Sequence, residues 1–163
     1  MKIAKKVCLI GRFAVGKTSL VKQYIDQQFS EKYKTTVGVS ISTKEINIED
    51  IDLSMIIWDI AGFEHDNHYA HYLRGVHGVI WVLDGTEPES FKVLDDINRS
   101  VPEICQVPCI YFINKHDIVD EWIVTEKEIE KFNEDKKHVL NCSAKTGENV
   151  ENGFKQIAQL MIG

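Results

Sequence analysis

The stretch Gly11-Arg12-Phe13-Ala14-Val15-Gly16-Lys17-Thr18 fits the spacing G-x-x-x-x-G-K-[ST], and its setting limits what the whole chain can fold into. An apolar run, Lys6–Ile10, stops directly before Gly11, and Lys17–Asp26 carries Leu20, Val21, Tyr24 and Ile25 on one helical face. Strand, glycine turn and helix in that order open an α/β domain with a mostly parallel sheet. The glycines let the backbone curl so that several N–H groups point inward. Those donors and the helix N-terminus would hold a chain of phosphates. The bland alternative is an ordinary glycine turn, which the strand–helix context disfavours. In the phosphate-loop case Phe13, Ala14, Val15, Gly16, Lys17, Thr18 and Ser19 contact the ligand. The Lys17 ammonium spans β- and γ-phosphates, and the Thr18 hydroxyl binds Mg²⁺.

The remaining chain alternates strand and helix. Val39–Ile48 and Ile51–Asp59 are separated only by Glu49 and Asp50, too few residues for a crossover helix, so they are predicted to form an antiparallel hairpin. His77–Asp84 and Pro108–Asn114 are apolar on both faces, as buried parallel strands are, and His138–Asn141 is a shorter candidate. Thr86-Glu87-Pro88-Glu89 reads as a capping box opening a helix whose inner face includes Phe91, Leu94 and Val101. Thr125-Glu126-Lys127-Glu128 repeats the box before Ile129 and Phe132. Val150, Phe154, Ile157, Ala158 and Met161 mark a last helix. The expectation is one domain over residues 1–163: a three-layer α/β sandwich with a six-stranded, mostly parallel sheet, one antiparallel edge strand and about five helices. Ligands of such sheets bind beyond the carboxyl ends of the strands.

Further motifs fall at such ends. Asp59-Ile60-Ala61-Gly62 follows the second hairpin strand. Asp59 would hold Mg²⁺ directly or through water, and the Gly62 N–H would meet a γ-phosphate. A lone D-x-x-G is weak; it gains force from its distance to the glycine loop. Thr36, in Thr35-Thr36-Val37-Gly38, would supply a second hydroxyl to Mg²⁺, although alone it reads as a loop threonine. In Asn114-Lys115-His116-Asp117 the Asp117 carboxylate can accept hydrogen bonds from both guanine N1–H and the 2-amino group, a donor pair that adenine lacks. The Lys115 stem would cover the base plane, and Asn114 would tie the loop to neighbouring backbone. Cys142-Ser143-Ala144-Lys145 follows the next strand and brings the Ala144 N–H toward guanine O6. Phe29 either stacks on the base edge or simply packs.

The formal net charge of −6 and the lack of a basic block argue against a nucleic-acid role. Apolar runs such as Val79–Leu83 fall far below the roughly 20 residues that span a bilayer. Lys2 stands where N-myristoylation needs glycine, and Leu160-Met161-Ile162-Gly163 has no prenylation cysteine. A cytoplasmic protein with no membrane anchor in this chain is expected, and nothing demands more than a monomer. Cys8, Cys105, Cys109 and Cys142 read as buried free thiols of a reducing cytosol.

Together these residues closely resemble the Ras/Rab-type small GTPases, with five motifs in order between Lys6 and Ile162. Trp58-Asp59-Ile60-Ala61-Gly62 and Ser143-Ala144-Lys145 carry the likeness most strongly. The resemblance implies a molecular switch that binds GTP or GDP with Mg²⁺ and hydrolyses GTP, with Lys17, Thr36 and Gly62 in catalytic roles. It also implies two segments, Phe29–Gly38 and Ile60–Arg74, that order around γ-phosphate and Mg²⁺. Effectors, an exchange factor and a GTPase-activating partner would read them.

The chain departs from the family at two places. Phe63 stands where the family usually has a water-orienting glutamine, and Phe13 stands where a small residue is usual. Ala14 occupies the position from which some relatives hold a potassium ion through asparagine. The three arginines, Arg12, Arg74 and Arg99, leave Tyr33 and Lys34 but no arginine in the first switch segment, and Arg12 is expected to face solvent. Slow intrinsic hydrolysis helped by a partner follows. The alternative is a GTP-binding scaffold with little or no hydrolysis, regulated by exchange. An adenine-nucleotide kinase is disfavoured by Asn114-Lys115-x-Asp117. His65, His68 and His71 recur every third residue beside Tyr69 and Tyr72, reading as a polar-aromatic partner surface. A metal site, or His65 as a water-orienter, is the sharper alternative.

Overall fold

A computed structural model describes residues 1–27, 38–62, 69–133 and 138–163. Six strands, β1 (Lys2–Ile10), β2 (Val39–Ile48), β3 (Ile51–Ile60), β4 (Gly78–Asp84), β5 (Cys109–Asn114) and β6 (Val139–Asn141), form one sheet in the order β2-β3-β1-β4-β5-β6. All neighbours are parallel except β2 and β3, which pair antiparallel from Val39↔Ile60 to Ile48↔Ile51. Glu49, at φ +54, turns that hairpin in two residues. Among the described residues five α-helices cover the sheet: α1 (Lys17–Asp26), α2 (Tyr69–Tyr72), α3 (Lys92–Ser100), α4 (Glu126–Glu130) and α5 (Val150–Ile162). The six-stranded α/β expectation is met.

Strand alternation sends β1 into two cores. Val7 and Leu9 join Leu53, Met55, Ile57, Ile80, Val82, Ile110 and Phe112 under α1 and α5, where Tyr24 and Phe154 stack with ring centroids 4.0 Å apart. Cys8 and Ile10 face the other way with Val79, Trp81, Leu83 and Ile113, against Leu73, Leu94 and Ile97. Period-two alternation explains why neighbouring apolar residues of one strand serve opposite layers. Among the described residues no helix is long and apolar enough to cross a membrane.

Three expectations need correction. β1 starts at Lys2, four residues before the apolar run. Residues Lys2–Lys6 pair with β3, while β4 joins only from Val7, so this half of the strand stays partly exposed and polar. The first capping box does not form. Thr86 N–H and Oγ1 instead donate to Asp84 Oδ1 at 2.8 and 2.7 Å, Pro88–Phe91 make a 3₁₀ turn, and α3 follows from Lys92. An aspartate two residues upstream offers the threonine a tighter local partner than a helix end would. The second box at Thr125 and Glu128 does form. Cys8 and Cys142 are buried and Cys109 is half-buried, but Cys105 is exposed: it lies in the 3₁₀ turn Pro102–Gln106, whose buried residue is Ile104.

Candidate functional site

β1 is the point where strand order reverses, with β3 on one side and β4 on the other, so the loop after it opens into the crevice where α/β sheets take ligands. That loop is the glycine motif. Ala14 at φ +66 and Gly16 at φ +101 bend it, and Gly16 is the N-cap of α1. A Cβ on Gly16 would lie 2.3 Å from Asn114 Nδ2, so the motif's second glycine also makes room for the β5 loop. Lys17 is buried and its Nζ donates to Gly11 O at 2.9 Å and Arg12 O at 3.1 Å. Burial lowers its pKa to about 8, against the opposing pull of the Asp59 carboxylate.

Two other elements close on this loop. Asp59, buried at the end of β3 and paired in register with Leu9, accepts from Thr18 Oγ1 at its Oδ2, 2.6 Å away. Gly62 presses on the loop backbone: any Cβ there would sit 2.5 Å from Phe13 N and Cα. The buried Tyr69 hydroxyl lies 2.9 Å from Ala61 O, to which it donates, and 3.4 Å from Gly11 O. The Phe13 ring is 49% exposed and turns outward. Arg12 is half-buried, a correction to the solvent-facing expectation, and its charge reaches the Glu89 carboxylate.

The ends of β5 and β6 make the second half. Asn114 is buried; its Nδ2 donates to Val15 O at 2.9 Å, and its Oδ1 accepts from Ala144 N–H at 3.1 Å. Its expected tie to neighbouring backbone is thus present in the geometry. Asp117 Oδ1 accepts from the buried Ser143 Oγ at 2.7 Å, and Ser143 Oγ accepts from Thr146 N–H. Lys115, at φ +72, extends its Nζ to 2.7 Å from Asp84 Oδ2 at the end of β4. Lys145 is exposed. Phe29, Thr36, Phe63, His65 and His68 lie outside the described residues, as does most of Phe29–Gly38.

Several side chains at this site carried no recognisable sequence signal. Asp84 organises Lys115 and Thr86 together. Tyr69, expected on a partner surface, is instead buried as a tie between Ala61 and Gly11. His116 and Glu148 pair across 32 residues of chain, with Nδ1 2.8 Å from Oε1.

The sequence model of the Ras family matches residues 6–162. Ras-related protein Rab7 of Drosophila melanogaster is 36% identical over 94% of this chain and 78% of its own length. Ras-related protein Rab-1 of Theileria annulata is 34% identical over 96% of the chain and 73% of its own length. Ras-related protein Rab-7b of Mus musculus is 33% identical, covering 96% and 82% respectively. With the phosphate loop, the β3 aspartate and the Asn114–Ala144 junction all at one rim of the sheet, the chain belongs to the Ras family, as a Ras/Rab-type small GTPase that binds guanine nucleotides.

Proposed function

We propose that this GTPase is a Mg²⁺-dependent switch whose own hydrolysis of GTP is slow and is raised by a partner. The observation that carries the reading is the 2.6 Å bond from Thr18 Oγ1 to Asp59 Oδ2, beside the buried Lys17. A hydroxyl and a carboxylate are hard oxygen donors, the kind Mg²⁺ takes, so these residues fit the ion, with Thr36 as a third donor. Bound there, Mg²⁺ would neutralise charge on the β- and γ-phosphates. Lys17 would give up its two backbone carbonyls for phosphate oxygens, while the backbone N–H groups of residues 13–19 and Gly62 cradle the chain. Asp117, held by Ser143, would select guanine; Lys115, Ala144, Lys145 and Phe29 would complete the base site.

Side-chain chemistry favours a slow rate. Phe63 offers a water no hydrogen bond, and the ring of Phe13 faces solvent. Arg99 lies in the last turn of α3, leaving Arg12 and Arg74 as the chain's other guanidinium groups. A partner that supplies an arginine or orients the water can contribute roughly 10³–10⁵-fold. Such a partner, like effectors and an exchange factor, would read Phe29–Gly38 and Ile60–Arg74.

In calorimetry with Mg²⁺, GTP is expected to bind far more tightly than ATP, and Asp117→Ala to remove most of that preference; an unchanged preference would refute the base assignment. Single-turnover hydrolysis is expected to be slow for the purified chain and fast with cell extract. Rapid turnover by the purified chain alone would sink the slow-enzyme reading. Phe63 also favours a scaffold with little hydrolysis, and a rate that stays flat on adding extract would establish that reading instead.

A further inference from the structure

We propose that His116, bonded to Glu148 and packed against Trp122, is a positioning residue that sets how long the guanine loop retains its nucleotide. The inference rests on the assignment of Lys115 and Asp117 to the base, since His116 stands between them in the chain.

His116 Nδ1 lies 2.8 Å from Glu148 Oε1 and 3.0 Å from Oε2. An ionised carboxylate only accepts, so Nδ1 carries the proton. The His116 backbone N–H donates to Cys142 O at 3.0 Å. The Trp122 ring meets the imidazole in an edge contact, with centroids 4.6 Å apart and 62° between the planes. Trp122 in turn covers Gly85, where any Cβ would fall 2.1 Å from its ring, and the Ile123 N–H donates to Gly85 O at 3.0 Å. Glu148 acts a second time through its backbone: its C=O accepts from Ser143 N–H at 3.1 Å, and Ser143 Oγ holds Asp117. His116 therefore joins the loop after β5 to the loop after β6 directly, and reaches the loop after β4 through Trp122.

This arrangement bears on release. A base seated between residues 115–117 and 143–145 leaves when those two segments part, and the His116–Glu148 bond crosses that seam. The pair is partly exposed, with side chains 34% and 41% accessible, so the effect is modest rather than all-or-none. Packing against Trp122 restricts the imidazole's swing and so favours keeping its Nδ1 at the carboxylate.

The test uses the full chain loaded with a fluorescent GDP analogue and chased with excess GDP. His116→Ala and Glu148→Ala are each expected to release it about two- to fivefold faster, the range that a single exposed pair can contribute. The double variant should be no faster than either single one, because both remove the same bond. Glu148→Gln, whose amide oxygen still accepts from Nδ1–H, should return to near the wild-type rate. Release at the wild-type rate by Glu148→Ala, multiplying rates in the double variant, or Glu148→Gln as fast as Glu148→Ala would each overturn the proposal. Asp117→Ala is assayed alongside for its GTP-over-ATP preference. If that preference survives, the base assignment fails and takes this inference with it. If it is lost while the His116 and Glu148 variants release normally, the clamp alone is wrong.

Discussion

Asn114 donates to Val15 O and accepts from Ala144 N–H inside a buried junction of three loops. Truncation to alanine leaves both backbone groups unpaired, at about 2–4 kcal/mol in total. Urea unfolding of Asn114→Ala should show that loss, together with weaker nucleotide binding. Gly62 makes a different demand, since Phe13 backbone stands 2.5 Å from where a Cβ would be. Gly62→Ala must push apart the phosphate loop and the end of β3, costing about 1–3 kcal/mol as overpacking does; an unchanged urea midpoint would contradict this. At this scale position was legible: the motifs at the ends of β1, β3, β5 and β6 bring Lys17, Thr18, Asp59, Asn114 and Ala144 to one rim of the sheet. Pairings such as Lys115 with Asp84 or His116 with Glu148 were not. They depend on how far each strand end projects past its neighbour, and no spacing in the sequence encodes that.

Two identical patterns gave opposite local structures. Thr125 and Glu128 close a capping box on α4, whereas Thr86 turns back to Asp84. The difference is the carboxylate two residues before Thr86, which a four-residue pattern does not include. Thr125→Ala should cost about 1 kcal/mol as lost N-caps do, visible as faster amide exchange within Glu126–Glu130. Glu128 is held below the usual carboxylate range by its bond to the Thr125 hydroxyl and then by the Thr125 N–H. A carboxyl lowered on folding stabilises above its unfolded value and loses that contribution as pH falls through the lowered one. Fraying of α4 should therefore increase on acidification below 4.5, the unshifted value, and be blunted in Glu128→Gln. Strand limits followed apolar runs well in the sheet centre and poorly at Lys2–Lys5, which pair with β3 before β4 joins at Val7.

For the molecule as a whole, strands apolar on both faces implied a covering layer on each side of the sheet, and the structure sends Val7 and Leu9 into one core and Cys8 and Ile10 into the other. The sheet order was not readable, because it records which strands meet across long connections. Thiol chemistry offers a global probe. Burial pushes Cys8 up to about 12 and Cys142 well above its ordinary value, so neither presents thiolate or access in the folded state. Alkylation at pH 8 should mark Cys105 first and Cys109 slowly, with Cys8 and Cys142 reacting only in denaturant. Labelling of Cys142 at the Cys105 rate would mean that the sheet opens far more often than its packing implies.

The seam at β1 has one more consequence. The phosphate loop leans on the β3 side through Thr18 and Asp59, and on the β5 side through Val15 and Asn114. A molecule filling the crevice would splint the two halves of the sheet together. Its grip would then be felt as heat resistance across the entire fold, growing with ligand concentration by about 2.7 kcal/mol at a hundredfold excess over Kd. Emptying the crevice would soften both halves at once.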